Sequence, residues 1–169
     1  MADIVDRRAA EAEPAYELIE LLFFAYRDFV READAVLTRY GFGRAHHRVL
    51  HFVSRNPGLK VADLLSILKI TKQSLARVLR ELVDQGFIQA SEGRDDRRQR
   101  LLRTTGKGEA LVGELAGLQS RRIGRALDAA GAGSAELVAR FLAGMVNPEE
   151  RAAVAELVSA EASSGRRRP

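Results

Sequence analysis

The sequence predicts a mainly α-helical chain with a small two-stranded β-wing, a winged helix-turn-helix with helices at both ends. Three observations lead there. Two short segments with helical apolar spacing, Val61 to Leu68 and Leu75 to Leu82, are separated by a tight break at Ile70. Two strand-like stretches follow at once, joined by an arginine-studded polar run. From Lys69 to Lys107 there are 10 Lys and Arg against 5 Asp and Glu, while the remaining residues carry 17 against 18, so positive charge gathers where a phosphate backbone would lie.

At 169 residues the chain is long enough for one substantial core, or for one domain with an extension. It contains no cysteine, which excludes a disulfide framework and thiolate chemistry. The N-terminus lacks the basic head, apolar core and cleavage site of a secretory signal. No apolar run approaches the ~20 residues that span a bilayer. The expectation is a cytoplasmic protein, on the nucleoid when bound to DNA, with no membrane partner. An enzyme is the rival class, and it finds little here: no phosphate-cradling glycine motif, no nucleophile elbow and no metalloprotease signature. Gly106, Gly108 and Gly113 do not follow a strand into a nucleotide fold.

Taken in order, residues 1–13 are polar and are expected to be frayed or loosely helical. A helix is expected from Pro14, suited to a first turn, to about Arg39. Leu18, Leu21, Leu22, Ala25, Phe29 and Val36 supply one face, and Tyr16, Ile19, Phe23, Tyr26 and Val30 spread apolar surface round the sides. A helix apolar on so much of its circumference needs more than one neighbour, and in a chain this small the extra cover is expected from a second subunit. Tyr40 to Gly43 break the pattern. The next helix, Arg44 to Arg55, holds all three histidines. His46 shares the inner face with Val49, Leu50 and Val53, whereas His47 and His51 lie one turn apart on an adjacent stripe. That spacing suits a metal clamp, but no cysteine and no second histidine cluster completes a site. No metal is expected, and polar core or pocket-lining roles are favoured.

Asn56-Pro57-Gly58 make a turn, since proline fixes its φ and glycine tolerates positive φ. Val61, Leu64, Leu65 and Leu68 then form one side of a short helix. Thr71 is a good N-cap for the second, whose inner face carries Leu75, Val78, Leu79 and Leu82. Gln73, Arg77 and Arg80 project from the opposite side, with Lys72 and Ser74 near the N-terminal end. Long donors that reach guanine N7 and O6, an amide that pairs with adenine and a small hydroxyl are what a major-groove helix requires; the plainer alternative is a solvated charged face. Phe87 to Ser91 and Arg100 to Arg103 read as antiparallel strands. Between them Gly93, Arg94, Asp95, Asp96, Arg97 and Arg98 make a basic tip suited to the negative potential of a minor groove. Asp96 is placed to hold Arg98 extended.

Thr105 caps a helix running to about Ala129, with Ala110, Leu111, Leu115, Leu118, Ile123 and Leu127 on its apolar side. Gly106, Gly108, Gly113 and Gly117 soften it, each costing up to ~1 kcal/mol relative to alanine. Gly131 to Ser134 form a joint, and a further helix extends to about Met145. Asn147-Pro148-Glu149-Glu150 reads as a fresh start with Asn147 as cap, leading to a last helix with Ala153, Val154, Leu157 and Val158. Arg166, Arg167 and Arg168 belong to a basic tail, read as a solvated terminus, with a DNA-touching arm as the alternative.

From about Phe42 to Leu111 the chain resembles the multiple antibiotic resistance regulator (MarR) family of winged helix-turn-helix repressors. The matching pieces are Asn56-Pro57-Gly58, Val61-Ala62-Asp63-Leu64-Leu65, the segment after Thr71, Gly86-Phe87-Ile88, Asp96-Arg97-Arg98 and Thr104-Thr105-Gly106-Lys107-Gly108, in this order and spacing. The resemblance implies a homodimer on double-stranded DNA, a helix beginning near Thr71 in the major groove, and Arg98 in the minor groove supported by Asp96. It also implies that a small-molecule ligand often controls the switch. Its pocket would lie near Tyr16, Phe23, Arg27 and His46. Peroxide sensing through a cysteine, used by some members, is excluded; zinc sensing through His47 and His51 stays an alternative, as does a winged helix used for protein contacts. No cofactor is required.

The expected organisation is an N-terminal dimerisation region over 1–41, a DNA-binding lobe over 42–105, C-terminal helices over 106–162 completing the dimerisation region, and a tail over 163–169. The DNA-binding set is Thr71, Lys72, Gln73, Ser74, Arg77, Arg80, Arg94, Arg97 and Arg98. The joint at Gly131 departs from the commonest family pattern, where one long helix leads directly to the last.

Overall fold

A computed structural model describes residues 14–93 and 99–164. Helix α1 (Tyr16–Thr38) begins just inside Pro14, but only its C-terminal half packs on its own chain, through Val30, Ala33 and Leu37. Most of the apolar residues expected to form its face, Leu18, Leu21 and Leu22 among them, are exposed. The helix ends because Gly41 takes φ +69°, which lets the Phe42 amide turn back to the Leu37 carbonyl at 3.0 Å. Tyr40 and Phe42 then meet Phe87 edge-on at ring distances of 5.2 and 5.1 Å, closing one side of the core.

Helix α2 (Arg44–Arg55) is the beam on which the lobe is built. Its inner residues His46, Val49, Leu50 and Val53 are buried at spacings of three and four, as its sequence pattern requires. After it the chain makes a third strand that the hairpin reading lacked. Gly58, at φ +91°, donates to the Leu102 carbonyl at 2.8 Å, and β1 (Leu59–Lys60) pairs antiparallel with Leu101 and Leu102. The wing is therefore part of a three-stranded sheet of order β1-β3-β2, rather than an isolated ribbon.

Helix α3 (Val61–Leu68) stops at Lys69, whose φ of +53° is left-handed. Thr71 then caps α4 (Lys72–Asp84): its hydroxyl accepts from the Ser74 amide at 3.1 Å. Strands β2 (Ile88–Glu92) and β3 (Arg100–Thr104) pair with Ala90 opposite Leu102, and the Gly93 amide donates to the Gln99 carbonyl at the wing's neck.

Helix α5 (Gly106–Ala130) is capped by Thr105, as expected. Its glycines are not equivalent soft spots. A Cβ on Gly108 would lie 2.2 Å from the Phe87 carbonyl oxygen, so glycine is required there for the helix to approach the strand. Ion pairs Arg39–Glu114 and Arg122–Glu32 tie α5 to α1. Gly131 and Gly133, both at positive φ, turn the chain into α6 (Ser134–Met145), which has no buried residue. The fresh start at Asn147 is a 3-10 turn, Pro148–Glu150, without a side-chain cap from Asn147; α7 (Arg151–Ser164) follows. Glu149 and Glu150 lie in that turn, and Glu150 reaches Lys69 at 2.6 Å.

Candidate nucleic-acid interface

Helix α4 is sided as a groove-reading helix must be. Leu75, Val78 and Leu82 are buried in the lobe, and Leu79 is half-buried. Thr71, Lys72, Gln73, Ser74, Arg77 and Arg80 are all exposed. Thr71 Oγ1 also donates to Ser74 Oγ at 2.9 Å, so the capping hydroxyl has both its roles filled and the cap is rigid. Arg77 is the most solvent-facing of the arginines with a described ion pair, with its side chain 80% exposed, and its Nε donates to Glu81 Oε1 at 3.0 Å.

Arg80 lies toward the wing. Together with Ala76, Val83, Ala90, Arg100 and Leu102 it lines a groove between α4 and the sheet. Arg100, missed by the sequence reading, therefore shares this groove with Arg80, and Asp84 lines it as well. Strand alternation puts Arg100 on the same face as Leu102, which is buried further along the strand, whereas Arg103 falls on the opposite face; Arg100 is exposed because it opens the strand. Arg94, Asp96, Arg97 and Arg98 lie outside the described residues, as does the expected Asp96 support of Arg98.

Two lysines inside the basic window have structural partners instead. Lys107 Nζ donates to the Gln85 carbonyl at 2.9 Å and sits 4.2 Å above the Phe87 ring, capping the C-terminal end of α4. Lys69 is held by Glu150.

The expected effector residues do not come together. Tyr16 and Phe23 are 66% and 68% exposed, and Arg27 pairs with Asp28 beside it. His46 is buried in the lobe, where Nε2 lies 2.7 Å from Glu81 Oε2 and the ring stacks on Phe42. A cavity of about 270 Å3 lies instead between α1 and α2. Tyr26, Phe29 and Phe52 give it aromatic walls, Arg44 and Arg48 give it positive charge, and Gln119 reaches in from α5. Asp34 accepts from Arg44 at 2.9 Å, and Arg48 donates to the Tyr26 hydroxyl at 3.5 Å.

His47 and His51 both line this cavity. Burial, and then the neighbouring His51, hold the His47 imidazole below its ordinary value, so neutral His47 is favoured. Among the described residues there is no cluster of three or more His, Cys, Asp or Glu that would hold a metal ion. No helix among them is long and apolar enough to cross a membrane.

Residues 40–99 match the sequence model of the MarR family. The chain is 45% identical over 133 residues to the HTH-type transcriptional regulator PetP of Rhodobacter capsulatus, an alignment covering 79% of this chain and 80% of that one. Solved structures share the fold at lower identity. Streptococcus pneumoniae FabT in complex with DNA superposes with a TM-score of 0.68 at 14% identity, over 78% of this chain and 94% of that one. NadR in complex with 4-hydroxyphenylacetate superposes at 0.65 and 21% identity, over 82% and 95%. With a relative that similar across four-fifths of both sequences, and a capped, outward-facing helix beside a wing, this chain belongs to the MarR family of winged-helix, DNA-binding transcriptional regulators.

Proposed function

We propose that the protein is a cytoplasmic, homodimeric regulator that binds a pseudo-palindromic site on duplex DNA and is released or retained by a small anionic aromatic molecule. The observation that carries the DNA reading is the sidedness of α4, whose donors Lys72, Gln73, Arg77 and Arg80 all face solvent while its apolar residues are spent on the lobe. Arg77 and Gln73 read base edges in the major groove; Lys72, Arg80 and Arg100 lie against phosphates and fix the register. The wing arginines Arg94, Arg97 and Arg98 extend the contact into the minor groove, with Asp96 supporting Arg98. The FabT complex with DNA supports this use of the fold.

Dimerisation follows from the faces that one chain leaves open. Tyr16 to Tyr26 on α1 and Leu137, Val138, Phe141, Leu142 and Met145 on α6 form more apolar surface than a lone helix exposes without cost. A second copy covering them spaces two α4 helices about one DNA turn, ~34 Å, apart. The cavity between α1 and α2 lies between that dimer core and the lobe. Its aromatic walls and its arginines fit a ring bearing a carboxylate, and the NadR complex with 4-hydroxyphenylacetate supports that class of ligand. Bound there, a ligand that prefers one α1–α2 spacing shifts the population of dimers that fit the DNA. No cofactor is needed.

Selection of bound sequences from a random DNA pool, followed by a salt series, tests the DNA reading. An enriched pseudo-palindrome with half-sites one turn apart, bound with affinity that falls steeply with salt, is expected. No enrichment and no salt dependence would refute it. For the cavity, 4-hydroxyphenylacetate serves as the probe: it should weaken or strengthen operator binding by the native protein, and Arg48→Ala should remove that response while leaving operator affinity intact.

A further inference from the structure

His46 and Arg77 sit on different helices, and Glu81 joins them. The His46 ring is buried, lies flat on Phe42 at 4.7 Å, and accepts at Nδ1 from the Gly43 amide at 3.1 Å. A backbone amide can only donate, so Nδ1 is unprotonated and the proton of the neutral ring is on Nε2. That Nε2 donates to Glu81 Oε2 at 2.7 Å, while Glu81 Oε1 accepts from Arg77 Nε at 3.0 Å. Each oxygen of one carboxylate thus serves a different helix. The Glu81 carboxyl is held below its usual range, first by Arg77 and then by His46.

The Arg77–Glu81 pair has no strong role in stabilising α4. Arginine N-terminal to glutamate at this spacing runs against the helix dipole, and exposed pairs of this kind contribute little. What sets this pair apart is its anchor. Most surface carboxylates rotate freely, but this one is fixed by a ring that packing and a backbone hydrogen bond both hold. An arginine bound through Nε keeps its two terminal nitrogens for the bidentate approach to guanine N7 and O6. Holding it there in advance removes rotamer freedom that would otherwise be lost on binding.

We propose that His46 and Glu81 are positioning residues for base discrimination, aiming the Arg77 guanidinium into the major groove from inside the lobe. This rests on Arg77 facing base edges, as proposed above. Removing the anchor leaves a longer-range, mobile arginine that still attracts phosphates but discriminates less well between bases.

The test uses the full-length protein on its selected operator, with affinities measured for the operator, for its single-base variants and for random duplex. Arg77→Ala first identifies the base pair at which discrimination depends on Arg77. Glu81→Gln, similar in size but uncharged, should then lower discrimination at that same base pair by about threefold to tenfold. It should leave affinity for random duplex equal or higher, because a negative charge beside DNA is gone. In the Arg77→Ala background, Glu81→Gln should change discrimination by less than about twofold. His46→Gln, which can still accept from Gly43 and donate to Glu81, should keep more of the discrimination than His46→Leu at matched thermal stability. Loss in Glu81→Gln that persists without Arg77, or no loss at all while Arg77→Ala does lose discrimination, overturns the positioning role and leaves base reading by Arg77 standing. An Arg77→Ala protein that discriminates as well as the native one overturns both.

Discussion

From Val30 to Leu115 the chain buries its own apolar residues: Leu37, Val49, Leu50, Leu64, Leu75, Leu82, Phe87, Leu102 and Leu115 share one core within a single chain. At its two ends the opposite holds. Leu18, Leu21, Phe23 and Phe24 on α1, and Leu137, Phe141, Leu142 and Met145 on α6, each remain more than half exposed. Both regions are helical with apolar faces, so propensity does not distinguish them. The difference is that the lobe has a sheet and four helices to close around α2, while the ends have one layer of helix and, among the described residues, nothing that covers it. The lobe is built to fold on itself, and the exposed ends are where the proposed second copy would sit.

The largest effect should come from placing charge on the ends. Phe141→Asp or Leu22→Asp should shift the protein to monomer at micromolar concentration and weaken operator binding by on the order of a hundredfold or more, since burying an unpaired carboxylate in an interface is severe. Sedimentation gives the mass, and circular dichroism should show the lobe still folded. A folded dimer in both variants would break the comparison.

In the lobe the effect is on stability. Leu82→Ala removes a fully buried side chain where α4 meets the core and should cost about 2–5 kcal/mol in chemical unfolding. Thr71→Ala, which loses the cap of α4, should cost about 1 kcal/mol and weaken DNA binding as the helix start frays. If Leu82→Ala were neutral, the lobe would not be the self-sufficient unit described.

The smallest effect belongs to the boundary between the regions, at His47. Its folded value lies below the ordinary 6.5 because burial, and then His51, disfavour the charged ring. The unfolded chain therefore binds more protons than the folded one as pH falls through about 6.5, and the stability that neutral His47 contributes is present above that pH and lost below it. A carboxylate in the cavity favours the charged ring, so its affinity should rise as the pH falls through the same window. Thermal melts and calorimetric titrations of native protein and His47→Gln at a series of pH values check both signs.

Legibility in the sequence followed how local each signal was. Helices α3 and α4 and the β2–β3 hairpin were readable because periodicity, the Thr71 cap and turn residues all lie within one stretch. Strand β1 was not, since two residues carry no alternation and their partner is some forty positions away. The cavity between α1 and α2 was not legible for the same reason: Tyr26, His47 and Gln119 come from three helices, and pattern alone gave no way to align α1 with α2. His46 was correctly placed on an inner face, but its partner Glu81, 35 residues later, became visible only in three dimensions. Gly108 read as a weak point in a helix until the Phe87 carbonyl showed why no side chain fits.

The division between a self-contained lobe and ends completed by a second copy is tested most directly by the mass of the protein, free and bound to its operator, in analytical ultracentrifugation. Two chains per duplex, already paired in the free protein at micromolar concentration, are predicted. A free monomer that loads singly onto one half-site would contradict the account, because the exposed faces of α1 and α6 would then have some other purpose.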